Sequence, residues 1–322
     1  MPYYGMPIGI EYEEVGFGFN KSVLTGLLRE RYGFDGIVCT DWGLVNDAAI
    51  FGQPFPARAW GVEHLTPAER IVKILDAGAD QFGGESCPEL LVEVVESGAV
   101  TEERLDVSVR RLLREKFVLG LFEHTFVDAD AADAIVGSAE FRAAGEAAQR
   151  ASITVLSNRE ATLPFTPRVK LYVEGIDADA ASAYGIVVNS PADADLAILR
   201  VQAPFEQRET VFENFFHAGS LEFTDEVRAH IAEVSAVVPT VVDVYLDRPA
   251  ILAPIVEHAH AVVGNWGASA AALLDVLSGA APAQGKLPFD IPSSIPAVEA
   301  SRPDVPFDTA DPLFRFGHGL AL

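Results

Sequence analysis

The sequence predicts an α/β protein, and two patterns carry the prediction. One is a buried-strand run, Gly36 to Thr40, that ends in Asp41, Trp42 and Gly43. The other is an alternation of short β-rich runs with helical spans that fills the second half of the chain. Alternation of that kind argues for a mostly parallel sheet with helices on both faces. With 322 residues, 49% of them apolar, the chain has material for two domains with substantial cores.

Gly36–Thr40 is the first strand that the residues announce. A carboxylate at the C-terminal end of a parallel strand lies at the mouth of an α/β fold, where catalytic groups are placed. Trp42 beside it offers a flat apolar face suited to stacking on a sugar ring. The spacing fits equally an aspartate that caps the next helix. After Glu123 strand signals stop and the chain is rich in Ala and Asp through Asp133, as in a surface connection. Phe141–Arg150 has the pattern of a helix. Strands are expected at Ser152–Leu156, Val169–Glu174, Gly185–Val188, Leu196–Val201, Thr240–Leu246 and Ala261–Asn265. Helices are expected at Thr224–Val234, Ala250–Glu257 and Ala268–Leu277. No internal repeat or low-complexity tract interrupts this order. The expected division is residues 1–124, a connection over 125–145, and a second domain over 146–322.

The loop after Leu196–Val201 is long and carries Glu206, Arg208, Glu209, Glu213 and His217. Loops leaving the C-terminal ends of parallel strands are where ligands are met.

Composition narrows the function classes. There are 23 basic and 47 acidic residues, a net charge of −24. That disfavours nucleic acid and anionic membranes as partners, because phosphate binding needs a basic surface. It suits neutral substrates such as sugars, and it fits a salty habitat equally well. Cys39 and Cys87 give neither a disulfide framework nor metal-ligand spacing, and Cys39 has the character of a small core residue. The seven histidines are scattered, with His258 and His260 flanking the start of the last expected strand. No pair has a metal-binding context, so neither metal nor cofactor is expected. Gly83-Gly84-Glu85 follows a strand but lacks phosphate-loop spacing. No apolar run approaches a membrane span and no signal peptide opens the chain, which carries little weight where the native N-terminus is expected to be absent; the expected location is cytoplasmic.

GFDGIVCTDWG, residues 33–43, closely resembles the signature of glycoside hydrolase family 3, in which a strand delivers the catalytic nucleophile. Met1-Pro2-Tyr3-Tyr4-Gly5 resembles the family's M-P-x-Y segment, and Leu24–Gly33 its helix before the nucleophile strand. Asp76–Gln81 and Arg104–Leu113 are similar to its next strand and helix. Gly285–Phe289 and Phe314–Leu320 are similar to its closing motifs.

That resemblance implies a retaining, exo-acting β-glycosidase of the β-glucosidase type, acting on nonreducing ends of β-linked oligosaccharides or glycosides. It implies Asp41 as nucleophile and Trp42 as a platform beside the scissile bond. Retaining enzymes need two carboxyl groups about 5–5.5 Å apart, one as nucleophile and one alternating between acid and base. In the family the acid/base is usually a glutamate on a variable loop of the second domain; Glu206 is the first choice here, with Glu209 and Glu213 as alternatives. Tyr4 matches the family tyrosine that lies close to the nucleophile, its hydroxyl a candidate for steadying the carboxylate or the ring oxygen, with an ordinary strand-end aromatic as the alternative. Trp60, on the loop after the nucleophile helix region, is a candidate for lining an outer subsite. Arg208 is a candidate for orienting a carboxylate or a sugar hydroxyl, with a surface ion pair as the simpler alternative.

The family's fold implies the C-terminal part of a (β/α)8 barrel followed by a complete α/β sandwich domain. Barrel strands are then expected at Met1–Tyr4, Ile37–Asp41 and Ala79–Phe82, with a helix at Glu102–Phe117. A barrel closes only with its full set of strands. The chain is therefore expected to be the C-terminal part of a longer enzyme, with the missing N-terminal barrel segment as a partner. Two rival readings are a non-catalytic or incomplete fragment, and a phosphoacceptor domain, which lacks its further acidic residues and lysine. A short family branch with a loop histidine as acid/base lacks the second domain expected here. The identity of the sugar is not specified by these residues.

Overall fold

Close backbone approach builds the first sheet. In the computed structural model β1 spans Cys39–Trp42. A hairpin follows, β2 (Ala48–Ile50) antiparallel to β3 (Gln53–Phe55). Next come α1 (Pro67–Ala77), β4 (Gln81–Gly83), α2 (Pro88–Glu96) and α3 (Glu102–Val118). The structure describes residues 1–50, 52–166, 168–209, 213–302 and 304–322. It divides into two compact units, Met1–Asp128 and Ala129–Leu322.

In the first unit β4 pairs with β1 in parallel, with Trp42 opposite Gly83. A Cβ at Gly83 would lie 2.1 Å from the Thr40 carbonyl oxygen, so only glycine admits this register. The Gly83 N–H also donates to Thr40 Oγ1 at 2.9 Å. α1 begins with a reciprocal capping box between Thr66 and Glu69, has Pro67 in its first turn, and ends at left-handed Gly78. Its Ile71, Ile74 and Leu75 pack with Phe19, Leu24, Val38, Leu44 and Val45. Ahead of β1, Ser22–Arg31 winds as a π-helix.

Asp80 locks these elements together. Its side chain is fully buried and accepts from Val38 N at 2.9 Å, Ser108 Oγ at 2.7 Å, Arg29 Nη2 at 2.7 Å and Arg111 Nη1 at 2.9 Å. Burial pushes its carboxyl up, but these donors outweigh burial and hold it below the ordinary value.

The second unit holds α4 (Ala129–Ile135), α5 (Ala139–Ser152), β5 (Thr154–Asn158), β6 (Lys170–Glu174), α6 (Ala178–Ser182), β7 (Ile186–Val187) and β8 (Leu196–Gln202). It continues with α7 (Asp225–Ser235), β9 (Thr240–Tyr245), α8 (Ala253–His258), β10 (Ala261–Asn265) and α9 (Ala270–Leu277). A short ladder, β11 (Ile291–Pro292) with β12 (Pro312–Phe314), brackets α10 (Ile295–Glu299). The main sheet is mixed, in the order β5-β10-β9-β8-β6-β7, with β5 antiparallel to β10 and every other pair parallel. Successive strand residues bury on opposite faces. Ile198, Val241 and Val263 pack with α9, while Leu199, Val242 and Val262 pack with α7 and α8. Burial on both faces explains why these strands have continuous apolar runs instead of alternating ones.

Four expectations need correction. Residues 1–4, expected as a barrel strand, form no strand. The nucleophile-motif strand lies later than Gly36–Thr40, because its ladder partner begins only at Gln81, and Asp41 and Trp42 are its last two residues. The region after β1 is a hairpin, not a helix, so Trp60 precedes α1 instead of following a helix. The connection over residues 125–145 contains α4 and the start of α5, whose cap is Ser138, with its hydroxyl accepting from Phe141 N.

Candidate active site

Four of the sequence-predicted residues meet in the first unit. Asp41 and Trp42 close β1, the carboxylate partly buried and the indole 58% exposed. The Tyr4 hydroxyl donates to the Trp42 carbonyl oxygen at 2.6 Å, and it is also a hydrogen-bond neighbour of the Asp41 carboxylate. The Trp60 ring meets the Tyr4 ring edge-on, with centroids 6.0 Å apart. Burial pushes the Asp41 carboxyl above its ordinary value, and the Tyr4 hydrogen bond partly offsets that. Burial first, then the neighbouring Asp41, push the Tyr4 phenol up to about 12, so it stays a proton donor at any ordinary pH.

Gly84 supports the indole. It is left-handed (φ 64), and a Cβ there would lie 2.3 Å from Trp42 Cδ2. The turn after Trp42 involves two residues that the sequence did not single out as site residues. Glu85 accepts from the backbone N–H groups of Leu44, Val45 and Asn46 at 2.8–3.1 Å. Arg58 lays its guanidinium over the Phe55 ring at 4.0 Å and over the Tyr4 ring at 5.9 Å. No local pattern marks either role, since both contacts arise from tertiary approach.

The other two predicted residues lie together in the second unit. Chain order there runs from β6 outward to β7 and then back across β6 to β8, so strand order reverses between β6 and β8. The carboxyl ends beside such a reversal form a ligand crevice in open α/β sheets. The loop leaving β8 carries Glu206 and Arg208, and its residues 210–212 lie outside the described residues. Glu206 accepts from Ser220 N at 3.1 Å, against Gly219, where a Cβ would lie 2.3 Å from its carboxyl carbon. Arg208 approaches Glu206 at 3.7 Å with both side chains about half exposed, a weak ion pair. Glu209 and Glu213 are exposed on the same loop.

His217 on this loop stacks on Phe205, with centroids 3.8 Å apart, and pairs through Nδ1 with Asp247. The sequence reading missed Asp247; its place immediately beyond the β9 strand run was the available signal. Among the described residues no group of three or more His, Cys, Asp or Glu could hold a metal ion. No helix among them is long and apolar enough to cross a membrane.

Comparison with known proteins gives a consistent result. Residues 12–115 match the glycosyl hydrolase family 3 N-terminal domain, and residues 180–322 match the family 3 C-terminal domain. A probable beta-glucosidase C of Aspergillus flavus is 54% identical over 100% of this chain and 51% of its own length. A periplasmic beta-glucosidase/beta-xylosidase of Dickeya chrysanthemi is 45% identical over 99% of this chain and 50% of its own length. The chain thus spans about half the length of these relatives. In fold it is similar to the crystal structure of a beta-glucosidase from Listeria innocua in complex with glucose. That likeness has a TM-score of 0.75 at 21% identity and covers 94% of this chain and 49% of the other. With both domain models matched in order along one sequence, the chain belongs to glycoside hydrolase family 3.

Proposed function

We propose that this chain carries the nucleophile of a retaining, exo-acting β-glycosidase of the β-glucosidase type. The substrate is a β-linked oligosaccharide or glycoside, cleaved at its nonreducing end. The observation that carries the reading is the setting of Asp41: a partly buried carboxylate at the end of a parallel strand, with a phenol donor on one side and an exposed indole next to it. The β-glucosidase names of relatives that align along the whole chain support the substrate class.

In this mechanism an Asp41 oxygen attacks the anomeric carbon as the glycosidic bond breaks. The leaving oxygen takes a proton from the acid/base carboxyl, and a glycosyl ester of Asp41 forms. Water then attacks the same carbon, gives its proton to the acid/base carboxylate, and releases Asp41. Glu206 is proposed for the acid/base role, with Glu209 and Glu213 as alternatives on the same loop. Trp42 stacks on the sugar, Trp60 lines the outer side, Tyr4 steadies the nucleophile, and Arg208 orients a carboxylate or sugar hydroxyl. The first unit is read as the C-terminal part of a (β/α)8 barrel and the second as the α/β sandwich domain.

A second reading is that the chain acts only with a polypeptide supplying the remaining barrel strands. It is favoured because, among the described residues, β1 and β4 pair only with each other. Open strand edges are templates for further pairing.

The test is intact-mass analysis and peptide mapping after incubation with a 2-deoxy-2-fluoro-β-glucoside, which traps a glycosyl-enzyme. An adduct on the peptide that holds Asp41 is the expected result. An adduct that appears only after co-expression with the N-terminal half of a relative selects the second reading. No adduct under either condition, or one on another carboxylate, overturns the assignment of Asp41.

A further inference from the structure

We infer that Glu85 is a positioning residue for Asp41, holding the turn that leaves the nucleophile strand through three consecutive backbone amides. The inference rests on the reading of Asp41 as nucleophile. Its basis is the convergence of one carboxylate on one turn. Oε2 accepts from Leu44 N at 3.1 Å and Val45 N at 3.1 Å, while Oε1 accepts from Val45 N at 3.0 Å and Asn46 N at 2.8 Å.

The local chain is built to present those amides. Gly43 is left-handed (φ 61), which turns the backbone sharply after Trp42. Leu44 and Val45 are buried, so their N–H groups need a protein partner. The carbonyls of the same turn are tied separately, Gly43 O to Arg58 N at 2.7 Å and Val45 O to Arg70 Nη1 at 2.9 Å. Glu85 itself is fixed two residues beyond Gly83, whose N–H is bound to Thr40 immediately before Asp41. Asp41 and Glu85 therefore leave neighbouring strands at one level, and the carboxylate closes the gap between them. Charge-assisted bonds of this kind are about twice as strong as neutral ones.

A simple cap for buried amides would stabilise the unit without affecting Asp41. A positioning role makes the setting of Asp41 depend on the reach of the Glu85 side chain. The titratable side chains that face Asp41 are the Tyr4 hydroxyl and the Cys39 thiol, with Arg58 and Glu85 acting through Tyr4. Two variants separate reach from charge. Glu85→Asp keeps the charge and withdraws the oxygens, whereas Glu85→Gln keeps the reach and removes the charge.

The experiment follows the Asp41 carboxyl by carbon-detected NMR titration in the full chain and in both variants, alongside urea unfolding. In Glu85→Asp the turn is expected to loosen and expose Asp41, so its titration midpoint falls toward the ordinary carboxyl range. Glu85→Gln, which keeps one oxygen within reach of the amides, is expected to move it less. Where the chain traps the fluoroglucoside, trapping is expected to slow by up to about a hundredfold, the cost of a misplacement of about 1 Å. The acid limb of that rate moves to lower pH along with the midpoint. An unchanged midpoint in folded variants that lose stability overturns the inference and leaves Glu85 as a cap. A midpoint that moves in Glu85→Gln alone also overturns it, because charge then acts without position. If Glu85→Gln fails to fold, Glu85→Asp decides. The titration requires no turnover, so a chain that fails to trap sugar counts against the Asp41 assignment and not against Glu85.

Discussion

The Tyr4 hydroxyl and the Trp42 carbonyl oxygen are 2.6 Å apart, which ties the start of the chain to the end of β1. The phenolic proton is donated to that carbonyl, and the phenol also neighbours the Asp41 carboxylate, whose pKa it lowers. Tyr4→Phe removes that proton and nothing else of size. The Tyr4 hydrogen bond lowers the Asp41 pKa, so its loss raises an already elevated value. A nucleophile is competent only when ionised, and the acid limb of the trapping rate against pH is therefore expected to move to higher pH. At its plateau the rate is expected to fall by roughly tenfold, about 1.5 kcal/mol, the lower range for a bond to a charged group because this carboxylate is only partly buried. A limb that stays in place would show that Tyr4 serves only the Trp42 carbonyl.

Gly84 and Trp42 give a prediction that separates binding from stability. Gly84→Ala places a methyl against the indole and forces a left-handed alanine, which costs about 1–2 kcal/mol. The displaced indole is expected to change the fluorescence spectrum and to weaken the binding of β-glycosides. Trp42→Ala is expected to weaken binding as well, yet to alter unfolding free energy by no more than about 0.5 kcal/mol, because the side chain is mostly exposed. Titration calorimetry with a β-glycoside, paired with urea unfolding, measures both. Intact binding in Trp42→Ala would remove the platform role.

How far the sequence was legible depends on whether a feature is local. Asp41 and Trp42 stood out because a strand end and its motif are contiguous. The strands β6, β8, β9 and β10 stood out because burial on both faces makes their runs apolar throughout. The antiparallel direction of β5 did not, since an apolar run carries no sign of direction. The β2–β3 hairpin was missed because its strands are three residues each, with Pro54 inside one of them. The capping box Thr66-Pro67-Ala68-Glu69 was legible in principle, being the usual start signal of a helix. Glu85, Arg58 and Asp80 act across long stretches of chain, and only tertiary contact reveals them.

Asp80 predicts a pH dependence of stability in the first unit. Its folded pKa is depressed, so its contribution is complete above the ordinary value of 3.8 and is lost as pH falls through the folded value. Asp80→Asn leaves Arg29 and Arg111 without their buried counter-charge and is expected to cost about 3–5 kcal/mol at neutral pH. The gap between the native chain and this variant should close below about pH 4 in urea unfolding followed across pH. A gap that persists unchanged at pH 2 would place the loss in packing and not in charge.

The second unit carries the complementary case. Arg200 Nε meets Asp243 at 2.6 Å, and Asn265 donates to the same carboxylate at 2.7 Å, with the Asp243 side chain fully buried between β8 and β10. Removing one partner strands the other in a dry interior. Asp243→Ala is therefore expected to cost about 3–5 kcal/mol, whereas replacing both, as Arg200→Met with Asp243→Leu, is expected to cost far less than the sum of the single changes. Trp266 reports on this unit alone once Trp42 and Trp60 are changed to Phe, because it donates to Ser152 O at 2.9 Å and packs edge-on against Phe289. Urea unfolding through its fluorescence gives the coupling energy of the pair directly. Additive losses would mean that Asn265 alone satisfies the carboxylate, and that Arg200 contributes to the sheet through its hydrocarbon stem and not its charge.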